Sequence, residues 1–201
     1  MSGDVTQRNK SRTRREIATE AGRLFTERGY GATTVRDIAD AAEVSPRTFF
    51  RYFPSKEDVI TVIASAAMDG VLDHLAEHNE TDSLESVIEA ILGASLIPVR
   101  ENPDAARAFQ IMLRDTPALR ARWLEEQRKN RDRLAIALRP WFDDEAHPLE
   151  AHIVAGTILL VIDEVMTMWA DDASLFDPLG LLAEALRILE EPPLRSSPHQ
   201  P

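Results

Sequence analysis

Apolar residues recur at intervals of three and four along nearly the whole chain, which is the spacing of one face of an α-helix. Gly29 ends the first of these segments, whose apolar face holds Ile17, Ala21, Leu24 and Phe25. Runs that alternate between apolar and polar residues, which are typical of strands, are almost absent. The pattern therefore predicts an all-α fold.

Proline, glycine and N-capping residues divide this pattern into about nine helices. Thr34 and Ser55 begin sequences typical of capping boxes, and Ser45 followed by Pro46 gives an N-cap with proline at the first helical position. The predicted helices span residues 13–28, 34–41, 46–53, 55–78, 83–97, 103–114, 117–138, 148–170 and 178–189. Residues 191–201 are rich in proline, which predicts a disordered tail.

The first three helices are short, and a tight turn joins the second to the third, as a helix-turn-helix requires. A small apolar core is expected to fix the angle between them, built from Val35, Ile38, Ala39, Ala42, Val44 and Phe49. Helical spacing leaves Pro46, Arg47, Phe50 and Arg51 on the outside. An aromatic ring and two arginines on one exposed face favour contact with nucleic acid over simple solvation.

The chain has a net charge of −11, which taken whole argues against a nucleic-acid partner. Residues 1–56, however, hold 11 Lys and Arg against 7 Asp and Glu, whereas residues 57–201 hold 12 against 27. A basic end on an acidic body would turn that end toward a polyanion. A chance asymmetry explains the charge distribution equally well when it is taken alone.

Residues 33–58, TTVRDIADAAEVSPRTFFRYFPSKED, resemble the DNA-binding signature of tetracycline-repressor-like (TetR family) regulators. The resemblance covers about residues 13–62 and is highly specific. It implies an N-terminal three-helix helix-turn-helix DNA-binding domain at 13–56, preceded by a flexible basic arm at 1–12. It also implies a C-terminal helical domain at 57–190 that binds a small molecule and a partner subunit.

The resemblance further implies roles for individual residues. Positions near base edges are Arg36, Ser45, Pro46, Arg47 and Phe50, and positions that touch phosphates are Thr34, Thr48, Arg51, Tyr52 and Lys56. Arginine can bridge guanine O6 and N7, whereas hydroxyls and lysine anchor phosphates without reading sequence. The basic residues of the arm either add phosphate or minor-groove contacts or remain solvated. Two positions depart from the family: Phe50 replaces the usual tyrosine, and Glu43 stands where glycine is common.

The last two predicted helices are apolar on two faces, so each needs a second partner besides its own core. We expect them to form a four-helix dimer interface, as the family also implies. The expected contacts are Ile153, Thr157, Leu160, Val161, Leu179, Leu182 and Leu186. A single thick core within one subunit is the alternative.

The sequence says less about the small molecule. Adaptable apolar residues and one carboxylate within an apolar helix are candidates to line a pocket: Phe109, Met112, Trp123, Leu159, Asp163, Met166 and Trp169. Asp163 would equally face solvent or pair with an arginine. An unidentified apolar or amphipathic effector is expected, with no cofactor.

The chain has no cysteine, so disulfides and thiolate metal sites are excluded, and a reducing cytoplasm is expected. The first eleven residues lack the apolar core of a signal peptide, and the longest apolar run, 153–162, is too short to span a bilayer. We therefore expect a soluble, cytoplasmic protein without membrane contact.

Two rival classes remain open. An all-α enzyme such as a di-iron bundle needs Glu-x-x-His motifs, which the sequence lacks, and no catalytic or metal site is predicted. His74 and His78 lie one helical turn apart, but a solvated face explains them better than a metal. A helical adaptor that binds only protein leaves the basic head unexplained. The sequence thus predicts a homodimeric repressor that an effector releases from a palindromic operator.

Overall fold

The computed structural model describes residues 2–79, 81–142, 148–172 and 177–190, and these residues contain ten α-helices and no strand. The all-α prediction is confirmed. The helices are α1 (Ser2–Arg28), α2 (Val35–Ala41), α3 (Pro46–Tyr52), α4 (Val59–Leu75), α5 (Leu84–Ser95), α6 (Ile97–Glu101), α7 (Pro103–Asp115), α8 (Pro117–Leu138), α9 (Pro148–Asp171) and α10 (Pro178–Glu190). The sequence pattern missed the short helix α6, which carries Pro98 in its first turn.

The first helix begins eleven residues earlier than the pattern predicts. Residues 2–12, expected to be a flexible arm, continue α1 toward the N-terminus. No proline or glycine lies between Gly3 and Gly22 to stop the helix. Arg12 also pairs with Glu16 one turn later, at 3.5 Å, an arrangement that supports a helix. The predicted tail, 191–201, lies outside the described residues.

Two hydrophobic cores hold the helices together. The lower core joins the head, α1–α3 with the start of α4, to α7 and α8, and it buries Phe25, Phe49, Ile60, Leu113 and Leu119. The upper core joins the rest of α4 to α5, α8, α9 and α10. Because the lower core contains residues from both the head and the body, the two parts pack directly against each other.

Helix α9 is long and apolar enough to cross a membrane by length and composition alone, although its apolar run looked too short in the sequence. In the structure this helix contacts α5, α7, α8 and α10. Its buried residues, such as Ala155, Ile158 and Trp169, belong to the upper core. Packing within the subunit therefore accounts for part of its apolar character, since 33% of the apolar window is buried.

The turn between α2 and α3 contains one of the two positions where the sequence departs from the family pattern. Glu43 has φ of +53°, in the left-handed region. A side chain with a Cβ is strained there by roughly 1–2 kcal/mol, whereas glycine is not. Glu43 therefore places a strained residue where glycine is common in the family.

Replacing Glu43 with glycine is expected to raise the free energy of unfolding by about 0.5–1 kcal/mol, since relief of backbone strain exceeds the extra entropy of an unfolded glycine. Urea denaturation at fixed protein concentration measures the change. Glu43→Ala is the control, because alanine keeps the strain and should give no comparable gain. Equal stability of Glu43→Gly and wild type would contradict a strained turn.

Candidate nucleic-acid interface and ligand cavity

Helix α3 presents a face of exposed side chains to solvent. Phe49 on its inner side is fully buried, whereas Phe50 beside it is 54% exposed. All five predicted base-reading residues are exposed: Arg36, Ser45, Pro46, Arg47 and Phe50. The residues that helical spacing predicted to be exposed are therefore exposed in the structure.

The cations on this face are not neutralised by nearby carboxylates. Among the residues that the structure describes, Arg47 and Arg51 of α3 and Arg36 of the neighbouring α2 form no ion pair. Arginines elsewhere in the head do: Arg23, for example, lies 2.6 Å from a carboxylate oxygen of Glu27. The positive charge of the three unpaired arginines is thus available to an anionic partner.

The hydroxyl groups near α3 serve first as helix caps. Thr34 and Asp37 form the predicted capping box of α2, and the bonds from Thr34 lower the pKa of the Asp37 carboxyl. The Ser45 hydroxyl accepts a hydrogen bond from the Thr48 backbone N–H at 3.1 Å and lies 2.9 Å from the Thr48 hydroxyl. These bonds fix the start of each helix and hold the two hydroxyls of the α3 cap at its exposed N-terminal end.

Lys56 is placed differently from the expectation. It was predicted in the first turn of a helix, facing a phosphate, but α4 begins only at Val59. Its ammonium group donates to the backbone carbonyls of Tyr30 and Thr33, both at 2.8 Å, and lies 3.8 Å from the Tyr30 ring centroid. Burial lowers the pKa of Lys56. The residue joins the turn before α2 to the turn before α4.

A second contact reinforces this link. The Tyr30 hydroxyl donates to the Glu57 carboxylate, which lowers the pKa of Glu57, while burial and this bond raise the pKa of Tyr30. Sequence reasoning did not assign a role to Tyr30 or Glu57, because 27 residues separate them. Together with Lys56 they hold in place the two turns that flank the helix-turn-helix.

A cavity of about 430 Å³ lies in the body among helices α4–α9. Its walls are mostly apolar, and four predicted pocket residues line it: Phe109, Trp123, Leu159 and Met166. Met112 and Trp169 are instead buried in the lower and upper cores. The cavity also has polar residues that the sequence did not single out, among them Gln127 and Asn130 on α8.

Asp163 is not part of the cavity wall. Arg120 of α8 holds its carboxylate with two hydrogen bonds, at 2.9 and 2.6 Å. This ion pair joins α8 to α9. Of the alternatives that the sequence left open for Asp163, the structure shows pairing with an arginine. The sequence could not select it because 43 residues separate the two side chains.

Exposed apolar side chains concentrate on the last two helices. Among the described residues, seven of the ten large exposed hydrophobics lie on α9 and α10: Leu149, Ile153, Leu160, Met168, Leu179, Ile188 and Leu189. Of the predicted interface, Thr157, Val161 and Leu186 are partly buried. Leu182 is only 6% exposed, because it packs into the subunit's own upper core, and it is therefore not a surface contact.

Each histidine of the pair on α4 and the turn after it has a hydrogen-bonding neighbour of its own. His74 Nδ1 lies 3.0 Å from the Gly70 carbonyl oxygen, and His78 Nδ1 lies 3.1 Å from Asp82. Within the described parts of the chain, no group of three or more potential metal ligands occurs.

An all-α chain with an unneutralised basic helix-turn-helix and a cavity-bearing helical body has the architecture of a DNA-binding transcriptional regulator. Comparison with known proteins gives the family. Residues 17–63 match the family model described as bacterial regulatory proteins, tetR family, and residues 81–193 match that of the MftR C-terminal domain. The chain belongs to the TetR family of transcriptional regulators.

Individual proteins agree with this assignment. The chain is 38% identical over 152 residues to the HTH-type transcriptional regulator TcmR of Streptomyces glaucescens, covering 71% of this chain and 67% of TcmR. A TetR-family regulator from Syntrophomonas wolfei has the same fold, with a TM-score of 0.66 at 16% identity, covering 90% of this chain and 94% of that one. The regulator FadR of Bacillus subtilis, solved with stearoyl-CoA, has the same fold with a TM-score of 0.62 at 21% identity. The match covers 88% of this chain and 97% of FadR.

Replacing Lys56 with methionine is expected to lower the free energy of unfolding by about 1.5–3 kcal/mol, because two backbone carbonyls lose a charged donor. Chemical denaturation of the purified protein measures this. Lys10→Met is the matched control, since Lys10 is exposed on α1 and should change stability little. If Lys56→Met unfolds like wild type, the link between the two turns contributes nothing to stability.

Proposed function

We propose that the protein is a homodimeric repressor that places α3 of each subunit in successive major grooves of a palindromic operator. The observation that carries this proposal is the exposed, unneutralised face of α3. An α-helix fits the major groove, and a two-fold dimer matches a palindrome whose half-sites are about 34–36 Å apart. The cytoplasmic location expected from the sequence follows from this role.

In this proposal Arg36 and Arg47 read guanine edges, and Phe50 contacts a thymine methyl group. Ser45 and Pro46 lie at the same end of α3 and complete the base-reading surface. Thr34, Thr48, Arg51 and Tyr52 contact phosphates, which fixes the register without reading sequence. Lys56 has one N–H left after its two carbonyl bonds, and this donor is available to a phosphate.

The dimer is proposed to form through α9 and α10. Exposed apolar side chains on one side of these helices, led by Ile153, Leu160 and Leu179, would be buried against the same side of a second subunit. Leu149 and Leu189 extend this surface. A four-helix arrangement of this kind also holds the two heads at a fixed separation, as a palindromic site requires.

The cavity in the body is proposed to bind the effector. Its apolar walls suit a small apolar or amphipathic molecule, as the sequence led us to expect. The FadR structure was solved with stearoyl-CoA, which shows that this fold can accommodate a ligand of that class in a distant relative. Binding would favour an orientation of the heads that no longer fits the operator.

Selection of bound duplexes from a random library at near-physiological salt tests the DNA proposal, and a palindrome should be enriched. Arg47→Ala should weaken the free energy of operator binding by about 1–3 kcal/mol and relax the sequence preference at one base position. Arg51→Ala should weaken binding to all DNA sequences alike. It should also reduce the slope of log binding constant against log salt concentration by about one. Arg128→Ala, at an exposed arginine of α8, is the control. An unchanged sequence preference in Arg47→Ala would refute the assignment of α3.

The double variant Ile153→Asp with Leu160→Asp should produce monomers, because a two-fold interface doubles each introduced charge. Sedimentation equilibrium measures the mass. Leu124→Asp serves as the control, since Leu124 is 51% exposed on α8, outside the proposed interface of α9 and α10. A variant that remains dimeric at micromolar concentration would place the interface elsewhere.

A further inference from the structure

Two polar side chains in the cavity wall lie one helical turn apart on α8. Trp123 and Gln127 occupy positions i and i+4, so they share one face of the helix, and both line the cavity. The Trp123 ring packs edge-on against Phe109, with ring centroids 5.6 Å apart, which holds the indole in place. The same face carries the apolar residues Leu119 and Leu134 farther along α8.

One polar atom of each of these two residues is buried and lacks a hydrogen-bonding partner. Neither Trp123 Nε1 nor Gln127 Oε1 has a partner among the described residues. Asn130, the next residue on the same face, provides the contrast: its Nδ2 donates to the Ala64 carbonyl at 3.2 Å, and its Oδ1 accepts from Arg133 at 3.4 Å. Because buried polar groups are nearly always paired, the two unpaired atoms indicate that something else completes this site.

The chemistry of the pair defines the missing group. An indole N–H only donates and an amide oxygen only accepts, so a single group that pairs with both atoms must accept from Trp123 and donate to Gln127. A hydroxyl does both with a single oxygen atom. The terminal torsion of a glutamine side chain is broad, so a rotation of the amide can turn its oxygen toward a ligand in the cavity.

The charge of the wall sets a further limit. No lysine or arginine lines the cavity in the described part of the chain, whereas the carboxylate-bearing Glu101 does. An anionic ligand would meet no compensating cation there, and burying an uncompensated charge is strongly unfavourable. A neutral ligand matches these walls.

We infer that the effector is a neutral, mostly apolar molecule with a hydroxyl group, and that the Trp123 indole donates to this hydroxyl while the Gln127 amide oxygen accepts from it. The inference rests on the proposed effector role of the cavity. Trp123 and Gln127 would then make the cavity prefer a hydroxylated ligand over its analogue without the hydroxyl. The analogue leaves both polar groups unpaired, so the site rejects it.

Fluorescence titration of the purified full chain at pH 6.5 with three matched probes tests the inference. The probes are 1-hydroxypyrene, pyrene and 1-pyrenecarboxylate. Wild type should bind 1-hydroxypyrene about tenfold more tightly than pyrene, and the carboxylate most weakly. Trp123→Phe and Gln127→Met should each reduce the preference for the hydroxyl to less than about threefold. Gln110→Met is the matched control, because Gln110 also lines the cavity and should leave the preference intact.

A second measurement needs no ligand. Gln127→Met removes a buried acceptor without a partner, so the melting temperature of the free protein should rise by about 2–4 °C, whereas Gln110→Met should leave it unchanged.

Three results would overturn the inference. Wild type could show no preference for the hydroxyl, none of the three probes could bind, or Gln110→Met could lose the preference to the same extent. A fourth is a preference that survives Gln127→Met, which would mean that an ordered water already pairs with the amide. The readout is ligand binding and not operator release. A protein that enriches a palindrome but shows no hydroxyl preference therefore refutes this inference alone.

Discussion

Helix α4 packs into both hydrophobic cores, and this constraint links the position of the helix-turn-helix to that of the cavity. Its first turns carry Val59 and Ile60 into the lower core beside Phe49 of α3, and its later turns carry Met68 and Val71 into the upper core. The helix also provides part of the cavity wall. A rigid helix shared by the two cores cannot shift at one end without disturbing packing at the other, because protein interiors are close-packed.

The helix-turn-helix could be predicted from the sequence because its determinants are local. The caps at Thr34 and Ser45 act over three residues, and the outward position of Arg47 and Phe50 follows from helical periodicity around the buried Phe49. Each of these features depends on residues within one or two turns. Propensity and spacing are therefore sufficient to predict them.

The predictions that needed correction depend on contacts between distant parts of the chain. Lys56 contacts carbonyls 26 and 23 residues earlier, and Asp163 contacts Arg120 43 residues earlier. Periodicity places Leu182 on an apolar face but does not say whether that face turns toward the subunit's own core. The early start of α1 has a different cause, since a polar segment without breakers carries no apolar periodicity to mark it as helical.

Helix α8 places the contacts to the head and to the cavity next to each other. Arg122 lies 3.1 Å from the Asp58 carboxylate, directly before α4, and the adjacent Trp123 lines the cavity. Arg122 is largely solvated, so this ion pair adds little stability, but it joins α8 to the head at a defined point. An effector can change operator binding only if it prefers one arrangement of the heads over the other. The proposed hydroxyl contact at Trp123 would provide such a preference wherever the position of α8 differs between the two arrangements.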